Sequence, residues 1–149
     1  MENNWLTLLQ DSDLTSSIMD TNQLTSRYGL TLDRQDAELI LSARRDTLRR
    51  EKRVETVPGI IEKIIYEFCD SDYISQSEYT DTLIRLQEIF FMYKNELRDM
   101  VSDDVLLHFM KEKFETVCAG DIDYLESTCL DEFARAVRAG TPEEEALRL

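Results

Sequence analysis

The stretch YTDTLIRLQEIFFMYKNELRDM, residues 79–100, decides the fold of this 149-residue chain. Its apolar residues recur at alternating spacings of four and three, which is typical of a helix that packs on other helices along its whole length. This seam consists of Tyr79, Leu83, Leu86, Phe90, Tyr93, Leu97 and Met100. Further apolar side chains at Ile89, Phe91 and Met92 make the middle of the helix apolar all round. We therefore predict a long central helix over about residues 76–101.

Capping signals divide the rest of the chain into further helices. Gly29, Gly120 and Gly140 stand where amphipathic runs stop, and glycine is the preferred left-handed residue just beyond a helix. Residues that suit helix N-termini precede the runs, and we expect these caps at Asp33 (with Asp36), Ser75 (with Glu78), Ser102, Asp121 and Thr141. For the Ser75 cap, Ser75→Ala should cost about 1 kcal/mol of stability.

Composition also favours helices. Four glycines and two prolines are too few for the many turns of a β-sandwich or barrel, and only Arg53–Gly59 has strand-like content. We predict an all-α, single-domain, irregular bundle of six to seven helices over residues 1–149, with 1–13 and 141–149 peripheral. The apolar residues near the N-terminus are expected to dock on the body of the bundle; they are Trp5, Leu6, Leu8 and Leu9.

Four segments resemble an all-helical bacterial family that is classed as a domain of unknown function. They are YGLTLDRQDAELI, IIEKIIYEFCDSDYISQSEY, LQEIFFMYKNE and CAGDIDYLESTCL. The similarity extends from about Leu24 to Arg138. It implies a helical fold in an intracellular bacterial protein, and it carries over no activity and no catalytic residue.

Net charge and targeting signals limit which compartment and which classes of partner we expect. The net charge of −14 should repel nucleic acid and anionic membrane from most of the surface. The N-terminal MENNWLTLLQDSD has no basic region or long apolar run, so we expect no signal peptide. No window approaches the roughly 18 apolar residues of a membrane span. Three cysteines without paired spacing suit a reducing compartment, and we predict a cytoplasmic protein.

No pattern of catalytic or metal-binding residues emerges, so we predict no catalytic, cofactor or metal site. Cys69 ends a helix before Asp70 and Asp72, where the helix dipole and the carboxylates disfavour a reactive thiolate, so it is interpreted as a packing thiol. The aspartates match the pattern of a calcium loop only in part, because Ser75 stands where such a loop requires glycine. The single histidine, His108, is too little for a zinc site.

The one charge asymmetry is a cationic cluster at the end of the helix that Asp33 begins. Residues 44–53 hold six cations and two acids; the cations are Arg44, Arg45, Arg49, Arg50, Lys52 and Arg53. Three interpretations stay open: a solvated helix end that offsets the helix dipole, a site for an acidic protein surface, and a phosphate contact with nucleic acid. The net charge opposes the third.

The sequence alone does not establish a biochemical function. We expect a non-catalytic cytoplasmic interaction or accessory protein of a bacterium, with a protein partner and no cofactor. The alternative is a small enzyme with a carboxylate-lined cleft between helices. The seam of residues 79–100 is expected to pack within the chain, which favours a monomer over a homodimer formed by a helical zipper.

Overall fold

The computed structural model describes residues 13–55 and 59–149. These residues are 72% helical and contain no strand, so the predicted all-α class is confirmed. The predicted docking of Trp5, Leu6, Leu8 and Leu9 lies outside the described residues, as do positions 56–58 of the strand-like stretch. The described positions of that stretch, 53–55 and 59, have no regular structure.

The helices follow one another with short connections. Those of the first half are α1 (13–20), α2 (Asn22–Thr25, continued by a 3₁₀ turn Ser26–Tyr28), α3 (Arg34–Arg50) and α4 (Ile60–Phe68). A second 3₁₀ turn, Gln76–Glu78, leads into α5 (Tyr79–Glu96). The remaining helices are α6 (Asp103–Glu115), α7 (Ile122–Tyr124), α8 (Asp131–Arg138) and α9 (Glu143–Ala146), with a π-helix, Leu125–Leu130, joining α7 to α8.

Contacts group the chain into two compact units, Met1–Gln87 and Glu88–Leu149. The boundary falls inside α5. The single domain over residues 1–149 therefore stays a prediction. Each unit has buried apolar side chains of its own, such as Ile40, Ile64 and Phe68 in the first and Phe109 and Phe133 in the second.

Two side-chain amides hold the connection between α2 and α3 in the first unit. Asn22 bonds both the N–H and the C=O of Leu32, at 2.8 and 2.7 Å. Gln76 does the same with Thr31, at 2.8 and 3.0 Å. A loop has no helical partners for its peptide groups, so these amides supply hydrogen bonds that regular structure would otherwise provide.

The capping box predicted for α3 is confirmed. Asp33 accepts a hydrogen bond from the N–H of Asp36 at 2.8 Å, and Asp36 accepts one from the N–H of Asp33 at 3.0 Å. Two backbone donors at the helix start are thereby satisfied. The inner face of α3 is buried at Ala37, Ile40 and Leu41.

The capping box predicted at Ser75 is wrong. The Ser75 hydroxyl lies 3.2 Å from that of Ser77 and accepts no hydrogen bond from the helix backbone. The chain forms a tight 3₁₀ turn here, in which the N–H of Glu78 bonds the backbone carbonyl of Ser75 at 3.1 Å. The carbonyl has taken the place of the side chain, so the stability loss expected for Ser75→Ala loses its basis.

The predicted long helix is present but shorter at both ends, since α5 covers Tyr79–Glu96 only. The seam is buried within the chain at Tyr79, Leu83, Leu86, Phe90, Tyr93 and Leu97. Met100, the last predicted member, is 59% exposed. The helix cannot reach it because Arg98 and Asp99 have left-handed backbone, with φ of 54° and 55°.

A buried lysine organises the connection that follows α5. The Lys94 ammonium donates to the carbonyl oxygen of Val101 at 2.6 Å and pairs with the Asp103 carboxylate at 2.9 Å. Only 6% of Lys94 is exposed. A buried ammonium requires such partners, so Lys94 ties the end of α5 to the start of α6.

The caps predicted for the second unit hold in two of three cases. Ser102 accepts from the N–H of Val105, and Asp121 accepts from the N–H groups of Asp123 and Tyr124. Thr141 is not the N-cap of the last helix, because α9 begins one residue later than predicted and Pro142 occupies the cap position. α6 ends at Glu115, so it stops short of Gly120, where its amphipathic run was predicted to end, and Val117 beyond it is 57% exposed.

The π-helix between α7 and α8 was not predicted. The Tyr93 hydroxyl of α5 donates to a backbone carbonyl of this π-helix, that of Glu126, at 2.8 Å. Phe109 of α6 stacks on Phe133 of α8 with ring centroids 4.3 Å apart, which packs the continuous helical stretch 122–138 within the second unit.

Candidate functional site

The cationic cluster occupies the last two turns of α3 and the residues just after it. Arg45, Arg49, Arg50 and Lys52 lie toward the surface, whereas Arg44 and Arg53 are half-buried. The structure therefore brings the predicted residues to one end of one helix, with four of the six on its outer side. Val54, which follows them, is 88% exposed.

Lys52 stands where the backbone of the cluster reverses. Its φ is 57°, in the left-handed region. The N–H of Lys52 bonds the carbonyl of Arg49 at 3.2 Å, and the N–H of Arg53 bonds that of Leu48 at 2.8 Å. This pair of bonds is a Schellman motif, which closes the C-terminus of α3. Glycine is the usual residue at this position, so the lysine is held in a backbone conformation that disfavours side chains.

Arg44 has a structural role inside the cluster. Its guanidinium lies 3.7 Å from the Glu55 carboxylate, and the two side chains are only 12% and 10% exposed. This half-hidden pair holds the segment after the Schellman turn against α3. Arg44 is consequently less accessible to a partner than its neighbours are.

The outer cation Arg49 is held loosely. Arg49 lies 3.8 Å from Asp46, but these side chains are 80% and 65% exposed, and an ion pair so open to water contributes about 0–1 kcal/mol. The Arg50 guanidinium donates to the Thr47 hydroxyl at 3.3 Å. Such contacts exchange readily for a carboxylate on another molecule, which arginine binds in bidentate fashion.

The other residues weighed from the sequence do not assemble into a site. Cys69 is buried, and its thiol donates to the carbonyl of Tyr66 at 3.5 Å, in agreement with a packing role. His108 lies on an exposed face of α6. In residues 13–55 and 59–149, no group of three or more His, Cys, Asp or Glu side chains is arranged to hold a metal ion.

One small cavity lies in the second unit. Its volume is about 150 Å³, and it is lined by Met100, Val101, Val137, Gly140, Thr141 and Glu143. Pockets that bind small organic molecules are usually about 300–1,000 Å³ and place several polar groups around the ligand. Glu143 is the only carboxylate in this lining, so the cavity does not provide the paired carboxylates that a hydrolytic cleft requires.

Sequence reasoning missed a pair of cysteines that the fold brings into contact. The Cys118 and Cys129 sulfur atoms are 3.7 Å apart and share a hydrogen bond. Burial, followed by the neighbouring Cys129, raises the pKa of the Cys118 thiol to about 12. The ten residues between the two cysteines match no metal or redox motif, so the spacing carried no signal.

Comparison with known proteins gives one match. The model of a family of unknown function (DUF6323) matches residues 17–143, which contains the resemblance expected for Leu24 to Arg138 and extends beyond it at both ends. No curated protein and no solved structure matches the chain. None of the helices in the described ranges combines the length and apolar character that a membrane crossing demands.

Proposed function

The chain belongs to the family of unknown function DUF6323, and we propose that it is a non-catalytic interaction or accessory protein of the bacterial cytoplasm. Its cationic cluster binds an acidic surface on a protein partner. The observation that carries the proposal is four outward cations at one helix end of a chain whose net charge is −14.

Electrostatics supports an acidic protein as the partner. Exposed charges act over about 10 Å at 0.1 M salt, so a compact cluster attracts a facing acidic patch even on a negative molecule. The remaining surface repels polyanions that extend far beyond the cluster, as a nucleic acid does. A small acidic patch that ends where the cluster ends avoids this repulsion.

The position of Lys52 supports a role for the charge itself. A lysine in a left-handed C′ position stabilises the fold less than glycine would. The cation adds to the favourable interaction with the α3 dipole by about 0.3–1 kcal/mol at low salt, which offsets only part of that difference. Next to it, the exposed Val54 offers an apolar contact beside the charges.

The free cysteines support the proposed compartment. Cys69, Cys118 and Cys129 are all present as thiols, which is usual where low-molecular-weight thiols keep proteins reduced. The cavity beside Glu143 adds no argument for the alternative of a small enzyme.

The test compares two triple variants that remove the same amount of charge. Arg45→Gln, Arg49→Gln and Lys52→Gln change residues of the cluster, and Arg27→Gln, Arg34→Gln and Arg148→Gln change exposed residues elsewhere. Partners are first captured from the source cell with the wild-type chain and identified by mass spectrometry. Each purified partner is then titrated with the three proteins at two salt concentrations.

We expect the cluster variant to lose at least about tenfold in affinity, or about 1.4 kcal/mol, because three rim charges are removed together. Its affinity should also depend less on salt. The control variant should bind like the wild type. Equal binding by the two variants contradicts the proposal, and retardation of random DNA that only the cluster variant loses would instead assign the cluster to nucleic acid.

A further inference from the structure

The contact between Cys118 and Cys129 joins two irregular segments of the second unit. Cys118 lies in the turn after α6, and Cys129 lies inside the π-helix Leu125–Leu130. Their sulfur atoms are 3.7 Å apart. The sulfur–sulfur bond of a disulfide is about 2.05 Å long, so the two sulfur atoms must move closer by about 1.6 Å to form one.

Neither cysteine lies in a regular α-helix, because the backbone is irregular at both positions. After Cys118, Ala119 and Gly120 both have left-handed backbone, with φ of 47° and 83°. The turn is closed by bonds from the N–H of Cys118 to the carbonyl of Lys113 and from the N–H of Gly120 to that of Phe114, each 2.9 Å long. π-Helical turns are rare and are frequent at functional sites. Here one places Cys129 against the turn.

The pair lies just beneath the surface. Cys118 is 6% and Cys129 is 8% exposed. The chain neighbours of Cys118, Val117 and Ala119, are both exposed. A small oxidant such as a hydroperoxide reaches sulfur atoms in this setting more easily than a protein or a bulky peptide disulfide does.

Cys69 provides an internal comparison. It is buried like the other two, and its thiol donates to the carbonyl of Tyr66. It lies in the first unit, whereas the sulfur pair lies in the second. Burial is therefore common to all three cysteines, but the sulfur–sulfur contact belongs to two of them.

We propose that Cys118 and Cys129 are a site of reversible oxidation by hydroperoxides. One thiolate attacks a peroxide oxygen, which breaks the O–O bond, leaves a sulfenic acid on that sulfur and releases an alcohol, or water from hydrogen peroxide. The second sulfur then attacks the sulfenic sulfur and displaces its oxygen as water. Two thiols and one hydroperoxide give one disulfide, one alcohol and one water, so sulfur is oxidised and the peroxide reduced.

This site is independent of the cationic cluster and of the proposed partner. The burial that holds the Cys118 thiol protonated makes the reaction slow at neutral pH, so the pair responds to sustained oxidant and does not turn over as a catalyst. A disulfide would tie the turn after α6 to the π-helix. Thiol reductants restore the pair by exchange.

Trypsin allows a direct test on the unmodified chain. It cleaves after Lys113 and Arg135, so both cysteines fall in one peptide, 114–135, whereas Cys69 falls in the separate peptide 64–85. The folded full-length protein is treated with hydrogen peroxide, and the reaction is quenched in acid. The remaining thiols are blocked with N-ethylmaleimide, the protein is digested, and the peptide masses are measured by mass spectrometry. We expect peptide 114–135 to lose the mass of two hydrogens and to take up no label, and dithiothreitol to reverse both changes.

Single variants then assign the sulfurs. Cys69→Ser should oxidise as the wild type does, while Cys118→Ser and Cys129→Ser should lose the two-hydrogen signature. If a variant does not fold, the digest of the wild-type protein still tests whether the disulfide forms. Peptide 114–135 that stays fully labelled, or that only gains oxygen, overturns the proposal, as does a disulfide that includes Cys69.

Discussion

Tyr79 and Tyr93 show how the surroundings of one atom decide what a residue contributes. Both are buried seam residues of α5, and burial is the largest cause that raises the pKa of each phenol to about 12. The Tyr93 hydroxyl donates to the carbonyl of Glu126. Among the described residues, the Tyr79 hydroxyl has no partner in hydrogen-bond geometry, although the nearby Thr25 side chain acts to lower its pKa.

The two phenylalanine variants should therefore differ. Tyr93→Phe removes the donor to a π-helical carbonyl and should lower the free energy of unfolding by about 1 kcal/mol. Tyr79→Phe removes a buried hydroxyl without a partner in hydrogen-bond geometry, so its stability should stay equal or rise. Urea denaturation measures both. A larger loss for Tyr79→Phe than for Tyr93→Phe would show that the hydroxyl partners are misassigned.

Within residues 13–55 and 59–149, four helix ends are closed in the same way. Each stops at a left-handed C′ residue, whose N–H and that of the next residue bond carbonyls of the last turn. The C′ residues are Gly29, Lys52, Arg98 and Gly140. The two glycines were predicted and the two cations were not, because no residue type other than glycine, and to a lesser degree asparagine, announces left-handed backbone in a sequence.

Substitutions at these ends should change stability in opposite directions. Gly140→Ala should cost about 1 kcal/mol from backbone strain alone, since a Cβ there would meet no atom within 4 Å. Lys52→Gly and Arg98→Gly should gain up to about 1 kcal/mol, reduced by the greater freedom of glycine in the unfolded chain. Thermal denaturation checks all three. A loss for both glycine variants would mean that the cationic side chains stabilise these ends more than the strain opposes them.

At the scale of the whole molecule, the α5 seam, which could have formed a dimer zipper, packs against other residues of the same chain. Six of its seven predicted residues are buried without a second copy. The exposed member, Met100, lies beyond the end of α5. A homodimer built on this seam would have to expose the side chains of Leu86 and Phe90, which are 0% and 1% exposed in the single chain.

We therefore expect a monomer in solution. Light scattering coupled to size-exclusion chromatography should give a mass near 17.5 kDa at low and high protein concentration. A mass of twice that value would show self-association through another surface. Exposed Val54, Met100 and Val117 would then be the positions to substitute with polar residues.

The sequence by itself determined the helical class, the seam of α5, the Asp33 capping box and the helix ends at Gly29 and Gly140. These features depend on residues within a few positions of one another, where a helical period or a cap repeats reliably. It also located the cationic cluster, because all six residues are consecutive or nearly so.

Only the tertiary structure decided the features that join distant residues. Gln76 bonds a backbone 45 residues away, Tyr93 reaches a carbonyl 33 residues away, and Cys118 meets Cys129 across 11. The π-helix and the cationic C′ residues belong with them, because the surrounding structure over-determines a backbone that local preference disfavours. Ser75 shows the converse: its capping signal was present locally, and the 3₁₀ turn satisfied the helix start with a carbonyl instead.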